Sequence, residues 1–541
     1  MSGTGQHGSV LQVAHLAAMA ERFPDEVAFR VIGEGHLTFG QWDGEASRLA
    51  RGMAGLGIAR GDRVAIRLEP SNAVRWVIAY AAVHRSGAVA VPLDPRLAPA
   101  EVERMFVHAH VVAQVADGDR VDDAVAAADR GPEDGFPLEL VIDATKGDRV
   151  PSAVEPRLPD GVRGDRPQCL RWDDVLDDDG SAYQVPVDDD DLADIMFTSG
   201  TTGRPKGVAV RHANASTVPN GAPSWSGQRW LHASPLTTFA GLAFVYAPMK
   251  LGMACVYQPR FDADRWLDVI ESDRPQALFL VPSMVQLLLG HPRFEATDFS
   301  SVAICSVGSA PLAPAAIDRL QARMPDAVVS NNYGMTEAGS VYCVMPKGEA
   351  VRRPGSVGRP VPPAEVRCVG ADGEGPATDG YGEIELRIPG RPREYFEDPE
   401  ATATTWVDGW LRTGDIGRID EDGYLYIVGR AKDVIIRGGS NVYAVDVESV
   451  ILSHPGVEEA AVIGVPHDVL GEDLAAVVVV RPGWELGSEE LRRHCLDSLA
   501  VYKVPRRWEF TDGLPRNPAG KVLKQELRAR FADGIAVNEG S

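Results

Sequence analysis

Between Phe39 and Leu93 the chain alternates helix and strand signals without a break, and that alternation confines it to a sheet with helices on its faces. Phe39, Trp42, Ala46, Leu49, Met53 and Leu56 recur at intervals of three and four, the apolar stripe of an amphipathic helix. Val64 to Leu68 then reads as a strand, Val77 to His84 as part of a second helix and Ala88 to Leu93 as a second strand. Such β-α-β order predicts a mainly parallel sheet. The pattern returns from Ile304, while Gly382 to Ile388 and Tyr424 to Val428 read as antiparallel β structure. After Gly429-Arg430 the texture becomes a compact α+β unit: a helix near Val445 to Ser453, a strand at Ala460 to Gly464, an apolar run Ala475 to Val480 and a helix near Glu489 to Leu499. A C-terminal domain of about 110 residues follows from this. Gly131 to Asp191, with its acidic runs, reads as a solvated connection with short elements, and the ends before Val10 and beyond Ala532 as frayed.

A chain of 541 residues exceeds what one core supports, so at least two domains are expected. Lys and Arg number 54 against 77 Asp and Glu, a net charge of −23. That excess excludes nucleic acid or an anionic membrane surface as the main partner, and anionic substrates must be met by local basic groups. Six cysteines without C-x-x-C spacing offer neither a zinc site nor a disulfide framework, which fits a reducing cytoplasm. No signal peptide is apparent. The two long charge-free stretches, Leu231 to Met249 and Pro275 to Pro292, are interrupted by prolines and read as buried core rather than membrane spans.

Chemistry concentrates in a few segments. Thr198-Ser199-Gly200-Thr201-Thr202-Gly203-Arg204-Pro205-Lys206-Gly207 follows the apolar run Ile195 to Phe197. Its glycines let successive N–H groups converge on one anion, and its hydroxyls and Lys206 add donors and charge, which suits a polyphosphate. It is not the Walker pattern, because proline precedes the lysine and glycine follows it. Gly308-Ser309-Ala310-Pro311 follows a strand-like stretch and could lie flat on a planar ring. Asn332-Tyr333-Gly334-Met335-Thr336-Glu337 offers an aromatic face, an amide, a hydroxyl and a carboxylate, enough to meet a purine and Mg²⁺. Asp415 could accept from vicinal ribose hydroxyls. Arg430 lies at the domain boundary, and Lys521 sits on a turn shaped by Pro515, Pro518 and Gly520. Taken singly, each fits an ordinary turn or a solvated charge.

Together and in this order, these segments resemble the adenylate-forming superfamily of acyl-CoA synthetases, peptide-synthetase adenylation domains and luciferases, over about Ala20 to Leu527. The resemblance implies an α/β fold: a large N-terminal domain, residues 1–431, of mixed parallel sheets with flanking helices and a β-barrel-like subdomain. A small mobile α+β domain, residues 432–541, follows it. Thr198 to Gly203 with Lys206 would hold the phosphates of ATP. Gly308 to Pro311 and Tyr333 would sandwich adenine, Asn332 would meet its amino edge, and Gly334 and Met335 would complete the nucleotide segment. Thr336 would touch the α-phosphate, Glu337 would hold Mg²⁺, and Asp415 and Arg430 would bind ribose. Lys521 would bridge the acid's carboxylate and the α-phosphate. Lys432 takes the hinge position, and Gly438 and Gly439 line the approach of the CoA thiol, so that rotation about Lys432 exchanges Lys521 for the thiol path.

Of two departures from the family pattern, the one at Thr238 bears on the acid and the one at Ala444 affects only local rigidity. Pro235-Leu236-Thr237-Thr238-Phe239-Ala240-Gly241 places Thr238 where an aromatic or histidine gate is common, and Ala444 replaces a frequent proline. Leu231 to Met249 holds no acidic residue, and an α-ammonium group buried there would be unpaired. The candidate walls Thr238, Phe239, Gly308, Ser309 and Ser340 to Cys343 are uncharged, so the expected substrate is an apolar carboxylic acid, fatty, aryl or polycyclic. Acid:CoA ligation through acyl-AMP is the leading expectation. The alternatives are loading of a carrier-protein pantetheine, an enzyme running mainly one half-reaction beside a partner adenylating enzyme, luciferase-like oxidation, and a nucleotide-binding regulator. The last has no chemical need for Lys521.

Overall fold

The computed structural model of the protein describes residues 12–129, 138–146, 167–198, 206–215, 222–309, 312, 314–340, 343–362, 364–370, 373, 375, 380–388, 392–438, 440–516, 522–532 and 538–539. Two compact units emerge. The first comprises Met1–Phe279, Met335–Ser340 and Pro389–Thr404; the second comprises Leu280–Gly334, Val341–Ile388 and Thr405–Ser541.

In the first unit an eight-stranded sheet runs in the order Glu394–Tyr395, Lys206–Arg211, Leu192–Thr198, Val89–Pro92, Arg63–Arg67, Val111–Ala116, Leu140–Asp143, Gln168–Arg171. From Leu192–Thr198 onward every pairing is parallel, and the two strands at the other end are antiparallel. Val64, Ala65 and Ile66 are wholly buried, as an unbroken apolar strand covered on both faces should be. The helix Phe39–Gly55 starts at a capping box between Thr38 and Gln41, and buries Phe39, Trp42, Ala46, Leu49 and Met53. Trp42 donates to the Val77 carbonyl and stacks on Tyr246. The 131–191 connection needs correction: Leu140–Asp143 is fully buried and, with Gln168–Arg171, extends the parallel sheet. Three apolar residues and one aspartate suffice for a strand whose partners are already in place.

A second sheet of this unit pairs Gln228–His232 in parallel with Met253–Tyr257 and with residues 277–279, and Met253–Tyr257 with Val27–Val31. The helix Phe239–Lys250 and the strand before it absorb the charge-free stretch from Leu231 as core. Among the described residues no helix is long and apolar enough to cross a membrane.

The second unit opens with Pro282 as the first residue of a short helix, Pro282–Leu289. Strands Ile304–Val307 and Val328–Asn331 pair in parallel around the helix Pro314–Arg323. A half-barrel antiparallel sheet follows, ordered Cys343–Val344, Ser356–Pro360, Leu425–Arg430, Trp410–Ile419, Gly382–Arg387, Glu365–Val369. Trp410–Ile419 lies between the two strands read from the sequence as antiparallel β structure and pairs antiparallel with each. The C-terminal part adds a sheet centred on Gly471–Val480, paired with Val457–His467, Ile435–Arg437 and Arg507–Phe510. Its two cores draw only on residues from Ile435 onward. Asn538–Glu539 pairs with Arg507–Phe510, which corrects the expectation of fraying at those two residues, because an open strand edge offers backbone partners.

Candidate nucleotide and acid site

In the first unit, the antiparallel pair Leu192–Thr198 and Lys206–Arg211 ends in register at Thr198 and Lys206, so the two flanks of the expected phosphate loop face each other. Ser199, Gly200, Thr201, Thr202 and Gly203 lie outside the described residues. Lys206 places its ammonium 4.6 Å from the centroid of the Tyr395 ring, and the Tyr395 hydroxyl donates to Glu337 Oε1 at 3.2 Å. Thr336 and Glu337 stand on a turn closed by Ala338 N–H to the Met335 carbonyl, with Gly339 at φ +81°. Mg²⁺ takes few protein carboxylates and completes its shell with phosphate and water, so the single carboxylate of Glu337 fits it. Among the described residues no cluster of three or more His, Cys, Asp or Glu could hold a metal by itself.

Sequence reasoning missed Arg393. It is 4% exposed; its guanidinium donates to the Thr336 carbonyl at 2.5 Å and to the Asn214 carbonyl at 2.7 Å, and lies 5.0 Å from the centroid of Phe239. Burial pulls its pKa down to about 10, against the carboxylates of Asp194 and Glu337. A charge two residues before Tyr395 was the only signal, and sequence alone does not reveal that this charge is enclosed.

Thr238 has a defined structural task. Its hydroxyl donates to the Pro235 carbonyl at 2.8 Å and accepts from Gly241 N–H at 3.1 Å, capping the helix Phe239–Lys250. A Cβ at Gly241 would stand 1.9 Å from the Pro235 oxygen, so only glycine fits there. Phe239, Leu242, Tyr246, Tyr80, Asp194 and Arg393 border a cavity of about 10 Å³, space for one water. Ser340 belongs to the short strand Gly339–Ser340 of the same unit.

In the second unit, the strand Ile304–Val307 delivers Gly308 and then Ser309, which holds φ +72°, a left-handed conformation rare outside glycine. Ala310 and Pro311 lie outside the described residues. Asn332 N–H donates to the Val307 carbonyl, seating Asn332 and Tyr333 at the strand end. The Tyr333 hydroxyl donates to Asp415 Oδ2 at 2.5 Å, and Arg430 Nε lies 2.7 Å from Oδ1. Asp415 and Arg430 face each other in register across neighbouring strands. Asp415 is 6% exposed, and its N–H is held by Thr413 Oγ1. Burial, with Asp415 adding to it, raises the Tyr333 phenol well above its ordinary range, so it stays a donor. The carboxylate is thereby fixed, with lone pairs left for further donors.

Of the C-terminal assignments, Gly438 is described: φ is +57° and its N–H donates to the Leu470 carbonyl. The preceding Arg437 is buried beside Asp473, 2.8 Å away, and donates to the Tyr502 carbonyl. Lys432 stands in the short turn Ala431–Asp433. Gly439 and Lys521 lie outside the described residues, although the bridge Arg516 to Val522 marks the two ends of the lysine's segment.

The profile of the AMP-binding enzyme family matches residues 16–396, and that of the AMP-binding enzyme C-terminal domain matches residues 446–521. The chain belongs to the AMP-binding enzyme family. As an AMP-binding enzyme it is an ATP-dependent acyl-CoA ligase of the adenylate-forming kind. It is similar to a feruloyl-CoA synthase of an Amycolatopsis species, at 35% identity over 92% of this chain and 94% of that protein. It is also similar to the long-chain-fatty-acid–CoA ligase FadD13 of Mycobacterium tuberculosis, at 34% identity over 92% of this AMP-binding enzyme and 93% of that protein. Among solved structures it resembles ATP-bound MatB of Rhodopseudomonas palustris, with a TM-score of 0.82, 30% identity and coverage of 97% and 100% of the two chains.

Proposed function

We propose that this AMP-binding enzyme joins an apolar carboxylic acid, fatty, aryl or polycyclic, to CoA through an acyl-AMP intermediate. The observation that carries the adenylate step is the Tyr333–Asp415–Arg430 cluster, a buried carboxylate held ready for a ribose. The acid-free stretch from Leu231 to Met249 supports an apolar acid, and the relatives acting on feruloyl and long-chain fatty acyl groups support the same reading. Six free thiols, five of them buried, suit work in a reducing cytoplasm.

In the proposed cycle a carboxylate oxygen attacks the α-phosphorus and pyrophosphate leaves. Both reactants are anionic, so donors must neutralise the charge gathering on the α-phosphate. Lys521 approaches from the C-terminal lobe, residues 432–541, turning about Lys432, while Thr336 donates to the α-phosphate and the 198–206 segment holds the departing phosphates. Glu337 would hold Mg²⁺, which would supply Lewis-acid charge at the phosphates. In the second step the CoA sulfur, losing its proton, attacks the acyl carbonyl along the Gly438-Gly439 path and AMP leaves. Pyrophosphate release with ATP and a panel of acids, run beside thioester formation from synthetic acyl-AMP, tests both halves. Preference for free amino acids over apolar ones would defeat the substrate reading, and a product on holo-carrier protein but none on CoA would replace the acceptor. Thioester formed from supplied adenylate without pyrophosphate release would identify an enzyme of the second half alone, fed by a partner.

A further inference from the structure

Arg393 occupies a position that the reaction scheme leaves unexplained. It precedes the short strand Glu394–Tyr395, which is pinned to Lys206–Arg211 by register at Ala209 and Val208 and by an ion pair between Glu394 and Arg211. Side chains alternate along an extended segment, so Arg393 and Tyr395 leave on one side and Glu394 on the other. Both of the former reach the same turn, Arg393 through the Thr336 carbonyl and Tyr395 through the Glu337 carboxylate. The second arm of the guanidinium holds the Asn214 carbonyl, and its Cζ lies 5.0 Å from the ring centroid of Phe239, the first residue of the helix capped by Thr238. One rigid, buried fork therefore touches the turn assigned to α-phosphate and Mg²⁺ and also the aromatic ring assigned to the acid.

We propose that Arg393 is a positioning residue that couples the two substrates. A guanidinium that donates from each arm to a backbone carbonyl, with its Cζ 5.0 Å from a ring centroid, transmits displacement of either neighbour to the other. Settling of the Phe239 ring against an apolar acid orders the Thr336 carbonyl, and through it the hydroxyl and carboxylate of Thr336 and Glu337. Seating Mg·ATP in turn restrains the ring. Each substrate tightens the other by the same factor, as linkage requires. This rests on the reading that Thr336-Glu337 serves the nucleotide and Phe239 the acid.

The test is a binding matrix in the full chain. A non-hydrolysable ATP analogue with Mg²⁺ is titrated with and without an apolar acid such as ferulate or decanoate, and the acid with and without the analogue. The wild-type chain should show a tightening of about tenfold in both directions. Arg393→Met should bring that ratio close to one while each separate affinity changes only a few-fold, and Arg393→Lys, which keeps the charge and loses the fork, should fall between. Phe239→Leu removes the ring but keeps the Thr336 bond, and should lower the ratio too, with no further loss when combined with Arg393→Met. The Phe239→Leu single variant keeps the test open if Arg393→Met folds poorly. Thioester formation from supplied acyl-AMP should stay within a few-fold in Arg393→Met and Arg393→Lys. An unchanged ratio in Arg393→Met, or a ratio of one in the wild-type chain that binds both ligands, overturns the coupling. Loss of both affinities and both half-reactions together would reduce Arg393 to scaffolding and also overturn it. A wild-type chain that binds no Mg–nucleotide would instead defeat the proposed function.

Discussion

Under the proposed function, single residues divide the two half-reactions. Lys521→Ala removes the cation proposed at the α-phosphate, so pyrophosphate release should fall by orders of magnitude while thioester formation from supplied acyl-AMP largely survives. Equal loss in both assays would show that the lysine does not belong to the first step alone. Asp415→Asn should behave differently, since acyl-AMP carries the same ribose as ATP. Losing hydrogen bonds to a charged group costs about 1.5–3 kcal/mol, or roughly a tenfold to hundredfold rise in KM for both nucleotides. A rise confined to ATP would separate Asp415 from the ribose. The sequence made Asp415 legible because it stands in a run with Arg412 and Thr413 that the family pattern shares. It could not make Arg393 legible, because a buried cation is defined by carbonyls supplied from Asn214 and Thr336, far away along the chain.

Elements carry the next level of control. The helix Phe239–Lys250 begins at Thr238, whose hydroxyl serves two backbone partners. Thr238→Ala should lower unfolding free energy by about 0.5–2 kcal/mol, read as an earlier urea midpoint, and should weaken acid binding because Phe239 loses its anchored start. Full stability in that variant would mean that the cap is redundant. The sequence points to Thr238 through its place in the gate segment, where an aromatic or histidine is common. Its role as a cap was visible only once Pro235 and Gly241 were folded around it. Likewise Leu140–Asp143 could not be recognised inside an acidic connection, because a strand of four residues is held by its neighbours more than by its own pattern.

At the scale of the molecule, burial sets a pH response. His232, enclosed by Phe244 and Tyr257 with the Cys255 thiol at 3.3 Å, is pushed down to about 3 by burial. His212 falls to about 4, chiefly by burial with His84 adding to it. In the unfolded chain both titrate near 6.5, so their stability contribution is complete above that pH. It is lost as acidification protonates the unfolded chain alone. Asp117 acts oppositely: burial raises it to about 6, and between there and its ordinary 3.8 the folded chain gains the proton first. The histidines, with His15 also held low by burial, outweigh the acids Asp117 and Asp446 that burial raises, so stability should drop by roughly 1 kcal/mol per pH unit between about 6.5 and 4. Equal urea midpoints at pH 7 and pH 5 would contradict this.

The parallel sheet and its helices were readable because periodicity is a local property, as the stripe from Phe39 to Met53 illustrates. The close contact between Gly241 and the Pro235 oxygen has a practical corollary for anyone redirecting this catalyst toward new acids. Mutant libraries should diversify Leu242 and Ala243, which border the cavity beside Phe239, and leave position 241 untouched. Any side chain introduced there would erase the foothold from which new selectivity has to be built.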